Sequence, residues 1–324
     1  MIWILLKSKI NRIKGLDPAY LLESLESKLF GMDSEIHMSG SQEFSMNSAK
    51  EYKNFTKSVY VKEIVNTGQL LSVRGWAERN AGNISCVIPY AEAEKYFDLN
   101  NVIKKFEMGL NVSELAGKMF VITATGTYFR KLHENPLVGL GVVRISKDGN
   151  RLELLWGFEG GNAPSSEMGI HFMGHIARLK VDPDHRVIVH THATNLIVMS
   201  SMGELDEKAL TLALWRTHSE CLVVFPDGVG LLPWMVPGTK DISTATAEKL
   251  RDFRLVVWPL HGIVAAGSSI DEAIGLIETV EKNAEIYIKS AGLSKSPQVV
   301  TDKQLMEIAA HFNVTPRKGI IEES

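Results

Sequence analysis

Two apolar runs in this chain finish on histidine: RVIVHTHA at 186–193 and RLVVWPLHGIVAAG at 254–267. Both have the length and β-branched content of buried strands. Side chains alternate faces along a strand, so His190 and His192 point the same way and their imidazoles can converge. A Zn²⁺ ion is the commonest thing on which two imidazoles converge. His261 runs out of the second strand in the same manner, at the kind of strand end where open sheets place ligands. If the two strands are neighbours, His190, His192 and His261 give three nitrogens and one open position. That shell describes catalytic rather than structural zinc. The plainer reading is three hydrogen-bonded core histidines.

The rest of the sequence is built around these strands. GKMFVITATG reads as another strand, and LVGLGVVRIS and RLELLWG as a hairpin around an Asp-Gly turn. SVYVKEIVNTGQLLSVRGWA, SSEMGIHFMGHIARL, DEKALTLALWRTH, STATAEKLRDF and TDKQLMEIAAHF read as helices. The clearest helix is SSIDEAIGLIETVEKNAEIYIKSAG, capped by Ser269 or Asp271. CLVVFPDGVGLLP reads as a strand pair or a strand and turn. Strands interleaved with helices, with at least one hairpin, predict a mixed sheet covered by helices on both faces.

Residues 1–50 differ from the rest of the chain: GLDPAYLLESLESKLFGM can form a short helix, and MSGSQEFSMNSAK is small and polar. The expected division is 1–50 as an N-terminal extension or linker and 51–324 as the functional domain. A pI near 6.4 and a net charge of −3 give no general nucleic-acid footprint. No apolar stretch reaches the roughly 18 residues needed to span a bilayer, and MIWILL breaks at Lys7. The two cysteines, Cys86 and Cys221, suit a reducing compartment. A cytoplasmic protein is expected, with neither nucleic acid nor membrane as a partner.

Other motifs bear on chemistry. Glu167, at the first turn of a helix, is either a favourable helix-dipole charge or a general base beside the metal. Three turns could hold an anion: Asn80, Gly82 and Asn83 in RNAGNIS, Thr125 and Gly126 in TATGTY, and Ser165 and Ser166 in PSSE. Together with a candidate metal they favour a phosphate monoester. None matches a P-loop or a dinucleotide fingerprint. His171 and His175 in HFMGH form a rival metal pair, but Phe172 stands where a zincin carries glutamate.

GWAERNAGNIS, APSSE, VIVHTHATNL, HSECLVVFPDGVGLLPWMVPGT and VVWPLHGIV together resemble the zinc-dependent class II aldolase family, from about Glu51 to about Pro316. The resemblance implies a three-layer α/β/α fold with a central mixed, mostly antiparallel sheet. It implies Zn²⁺ on His190, His192 and His261, with Glu167 as catalytic carboxylate. Asn80, Gly82, Asn83, Thr125, Gly126, Ser165 and Ser166 match the phosphate-holding positions. Glu220 matches a carboxylate that reaches a neighbouring subunit's site, within a cyclic homotetramer whose sites lie at subunit contacts. The implied activity is reversible aldol cleavage of a sugar phosphate. A sugar-phosphate epimerase or dehydratase of the same superfamily, or a non-catalytic zinc-binding sensor, are the alternatives. Two positions depart from the pattern: Ala81, where a glycine is usual, and Arg216, where an acidic residue is expected.

Overall fold

The computed structural model describes residues 52–202, 205–293 and 297–321. The helix expected within residues 1–50 lies outside them. Nine strands form one sheet: β1 (Asn83–Ile88), β2 (Lys104–Glu107), β3 (Met119–Thr123), β4 (Leu140–Ile145), β5 (Arg151–Gly157), β6 (Val187–Thr191), β7 (Gly230–Leu231), β8 (Leu255–Trp258) and β9 (Gly262–Gly267). Their order is β2-β5-β4-β3-β1-β6-β9-β8-β7. Every pairing is antiparallel except β7 with β8. The mixed, mostly antiparallel sheet is therefore as expected.

Alternation along each strand feeds two cores. On one face Ile84, Cys86, Val121, Val187, Val189, Val257, Ile263 and Ala265 meet α1 (Val59–Val73) and the helices of the C-terminal half. On the other, Phe120, Ile122, Ile188, Val256 and Val264 meet α2 (Met168–Val181) and, further on, α5 (Lys240–Lys249). Both sheet faces are thus covered, which completes three layers. The other helices of eight or more described residues are α3 (Thr194–Ser201), α4 (Glu207–Thr217), α6 (Ile270–Ala291) and α7 (Asp302–Phe312).

Cap chemistry sets several boundaries. Ser269 Oγ accepts from Glu272 N at the start of α6, and Thr301 with Gln304 forms a capping box on α7. At α2 the helix begins at Met168, later than the segment SSEMGIHFMGHIARL predicts. The cap position is Glu167, and Ser165 Oγ instead accepts from the Glu167 N–H, just ahead of the helix. That shift points the carboxylate away from capping duty and into the site.

Two readings fail for physical reasons. CLVVFPDGVGLLP contains one helical turn, Cys221–Val224, and only a two-residue strand, β7. A four-residue apolar run has no periodicity that separates a strand from a buried helical turn. Pro226 then removes a donor, and Gly228 turns the chain at φ +79°. RNAGNIS is not only a turn, because its last three residues begin β1, a fully buried strand between β3 and β6. The polar edge strand β2 was not foreseen. Its Lys104, Lys105 and Glu107 are exposed, as suits a protected edge.

Candidate active site

Strand register brings the histidines together. β6 pairs with β9 and β9 with β8, so the end of β6 lies beside the β8–β9 turn. His190 ends up opposite Val264, and His261 projects from the turn two residues before Ile263. Leu260, at φ +61°, takes the left-handed region for this turn, a strained choice that aims His261 at the strand. The His190–His192, His190–His261 and His192–His261 ring centroids are 5.3, 5.0 and 4.9 Å apart. One nitrogen from each lies within 4.8 Å of the others. Among the described residues these three form the group placed to hold a metal ion.

The second nitrogen of two rings is already engaged. His190 Nδ1 donates to Ile263 O at 3.0 Å, and His192 Nδ1 donates to the Glu78 carboxylate at 2.7 Å. Each leaves Nε2 with a free lone pair, as a metal ligand requires. His261 Nδ1 is buried with no hydrogen-bond partner. Burial, together with the His192 charge, pulls His190 down to about 3. Burial and the other two histidines also lower His261. Neutral imidazoles are the ligating form, so the donor set fits a divalent cation such as zinc. Burial pushes the Glu78 carboxyl upward, but the hydrogen bond from His192, a backbone hydrogen bond and the His192 and His261 charges together outweigh it and hold Glu78 below its usual range.

Sequence reasoning missed Glu78 as an outer partner of His192. Its place in the AERN turn, shortly before Gly82, was the available hint. Trp258 was missed too; its ring lies 4.6 Å from His190 and 5.0 Å from His261. Glu281 on α6 is a third. Its carboxylate accepts from Asn195 N, Asn195 Nδ2 and Leu196 N, all at 2.9 Å. It thereby anchors the start of α3, the segment that leaves the site directly after His192.

A cavity of about 200 Å³ gathers nearly all the expected residues. Asn80, Ala81, Gly82, Asn83, Thr125, Gly126, Ser165, Ser166, Glu167, His190, His192 and His261 line it. Asn83, Ser165 and His190 are buried, whereas Asn80, Thr125, Gly126 and Ser166 are exposed around them. The turns are tied to each other: Thr125 N donates to Ala163 O and Ser165 N to Thr123 O. Gly82 has φ +82°, and a Cβ there would sit 3.0 Å from His190 O, so the turn presses against the strand that carries His190. Only glycine meets both demands.

Glu167 Oε2 lies 3.7 Å from His190 Nε2 and accepts from Asn83 Nδ2 at 2.7 Å. The carboxylate therefore stands at the edge of the three-histidine cluster. Glu220 is elsewhere in the chain, exposed on the turn before Cys221 and outside this cavity. Arg216, the departure near it, is tied within its own chain to Asp302 at 2.8 Å. The rival pair resolves differently. His171 and His175 are fully buried, and their ring nitrogens meet Ser85 and Asn83. A larger groove of about 970 Å³ lies at the opposite strand ends, lined by Tyr90, Lys118 and Arg144 among others. Volume does not select the site here, because that groove gathers no convergent metal donors.

The arrangement can bind a phosphate in the turns, a metal on three imidazoles and a proton on one carboxylate. The chain belongs to the Class II Aldolase and Adducin N-terminal domain family, which matches residues 62–288. Within it, the chain is 46% identical over 269 residues to the rhamnulose-1-phosphate aldolase of Listeria monocytogenes serovar 1/2a, covering 83% of this chain and 98% of that one. It is 46% identical to the Enterococcus faecalis enzyme of the same name, over 83% of this chain and 97% of the other. A solved sugar-phosphate aldolase from Thermotoga maritima is 29% identical with a TM-score of 0.63, covering 74% of this chain and 99% of its own. A solved L-fuculose 1-phosphate aldolase, 22% identical with a TM-score of 0.52, shares the fold over 79% of this chain and 97% of its own.

Proposed function

We propose that this chain is a zinc-dependent rhamnulose-1-phosphate aldolase. It cleaves L-rhamnulose 1-phosphate reversibly to dihydroxyacetone phosphate and L-lactaldehyde, in the use of L-rhamnose as a carbon source. The observation that carries the reading is a single cavity holding Glu167, three convergent imidazoles and three anion-binding turns, in a chain so similar to enzymes of that name. The turns at Asn80–Asn83, Thr125–Gly126 and Ser165–Ser166 hold the phosphate with N–H groups and hydroxyls. Binding energy at that remote end orients the reacting carbons. A divalent cation on His190, His192 and His261 supplies Lewis-acid polarisation of the ketone and neighbouring hydroxyl oxygens.

In cleavage the C3–C4 bond of the sugar breaks, and its electron pair goes to the ketone fragment. The C4 hydroxyl loses its proton as the aldehyde forms. Glu167 delivers a proton to C3, and in the synthetic direction removes it again. Glu220 of an adjacent subunit serves the aldehyde oxygen in a cyclic homotetramer. The protein works in the cytoplasm; no described helix is long and apolar enough to cross a membrane.

The test is a coupled triose-phosphate assay on L-rhamnulose 1-phosphate and L-fuculose 1-phosphate, with and without chelator. Release of triose phosphate from the rhamnulose substrate, lost on chelation, supports the reading. Preference for the fuculose substrate reassigns the aldehyde side. Turnover without triose phosphate marks an epimerase, and stoichiometric binding without turnover marks a sensor.

Residues 1–50 form an extension to an aldolase domain at 51–324. The family match begins only at residue 62, and the Listeria relative aligns over 98% of its own length but 83% of this chain. A chain starting at Met46 is expected to keep its turnover and to melt within a few degrees of the full chain. Large drops in both would show that the extension contributes to the folded domain.

A further inference from the structure

Four buried polar side chains meet in the layer between β1 and α2. Asn83 and Ser85 share one face of β1, and His171 and His175 share one face of α2. Two residues along a strand advance about 6.8 Å, and four along a helix about 6 Å, so the two pairs meet rung to rung. Ser85 Oγ lies 2.7 Å from His171 Nδ1 and 2.8 Å from His175 Nε2. His171 Nε2 lies 2.5 Å from Asn83 Oδ1, and Asn83 Nδ2 lies 2.7 Å from Glu167 Oε2. Ser85, His171 and His175 have 0% exposure and Asn83 5%.

The direction of every bond follows from its far end. Asn83 Nδ2 donates to Glu167 Oε2, which turns the amide Oδ1 to His171. His171 Nε2 therefore carries the proton. A buried, uncharged imidazole then has a lone pair on Nδ1, which takes the Ser85 hydroxyl proton. Ser85 oxygen in turn accepts from His175 Nε2–H. His175 Nδ1 is left as a lone pair, and it is indeed buried without a partner. An unpaired lone pair costs less than an unpaired N–H, so the chain stops where stopping is cheapest.

We propose that His175, Ser85 and His171 form a one-way hydrogen-bond chain that fixes the amide of Asn83 on Glu167, making His171 and Ser85 positioning residues for the acid/base. This rests on the reading of Glu167 as that acid/base. Without the chain, Asn83 Oδ1 loses the donor behind it and the amide keeps only its bond to the carboxylate, so Asn83 and Glu167 are no longer held in line.

The test uses the metal-loaded enzyme with Ser85→Ala, His171→Leu and His171→Gln. Ser85→Ala and His171→Leu are expected to keep one metal per chain and KM within about twofold, while kcat falls roughly 10–100-fold. His171→Gln, whose amide can still donate to Asn83 Oδ1, is expected to recover most of that loss. ¹⁵N spectra of histidine-labelled protein should show His171 protonated at Nε2 and bare at Nδ1. The opposite tautomer, or unchanged kcat in Ser85→Ala, would overturn the proposal. Should His171→Leu not fold, Ser85→Ala and the tautomer still decide. Loss of the base role by Glu167 itself would appear separately, as normal proton exchange in Glu167→Gln.

Discussion

Glu167→Gln is expected to keep its metal, bind substrate and lose turnover by roughly 10²–10⁴-fold, the usual contribution of general acid–base catalysis. The amide has nearly the shape of the carboxylate but cannot exchange a proton. Asn83 can still donate to the glutamine carbonyl oxygen, so the hydrogen bond at 2.7 Å does not have to break. Zinc content should hold because the three imidazoles are untouched. Exchange of the dihydroxyacetone phosphate proton with solvent should fall in parallel, since that half-reaction uses the base but no aldehyde. Glu220→Gln should behave otherwise: exchange survives while cleavage slows. Normal exchange in Glu167→Gln would remove the carboxylate from the base role and leave a helix-start charge.

What the sequence could convey depended on the range of the interaction. His190 and His192 were legible because strand alternation is local, and His261 because a second strand stopped in the same manner. Their convergence needed β6 and β8 to be joined through β9, which is a matter of register. The three turns around Gly82, Gly126 and Ser165 were legible as turns from glycine and hydroxyl content. That they surround one cavity depends on the tie between Thr125 and Ala163, which nothing local encodes.

Three things were beyond reach for a different reason. Glu78, Trp258 and Glu281 act on the site through partners 3 to 114 residues distant in sequence, and each has an ordinary local context. The helical spacing of His171 and His175 places them on one face, and the structure agrees. That face meets a strand, β1, whose opening residues look like a turn in the sequence. The ladder of polar contacts was hidden with it. The Cys221–Val224 turn was misread because a short buried apolar run satisfies either backbone equally, and only packing decides.

Single replacement of His190, His192 or His261 by alanine is expected to abolish tight zinc binding. One nitrogen of each ring lies within 4.8 Å of the other two, and no further described His, Cys, Asp or Glu joins the cluster. If some 10–16 kcal/mol of binding is shared over four ligands, one ligand is worth roughly 3–4 kcal/mol, or two to three decades in affinity. Such a loss places the variants below what survives purification in the presence of a weak chelator. Metal analysis of the purified proteins reads this directly. Retention of one zinc per chain by any of the three would exclude that histidine from the shell. His171→Gln and His175→Gln should carry the full complement, because their ring nitrogens already meet Asn83 and Ser85. Zinc loss there, with the fold intact, would move the metal to the helix pair. A finer distinction comes from Glu78→Gln, which should keep the metal but bind it about 10–100-fold more weakly, since the carboxylate orients His192 without touching the ion.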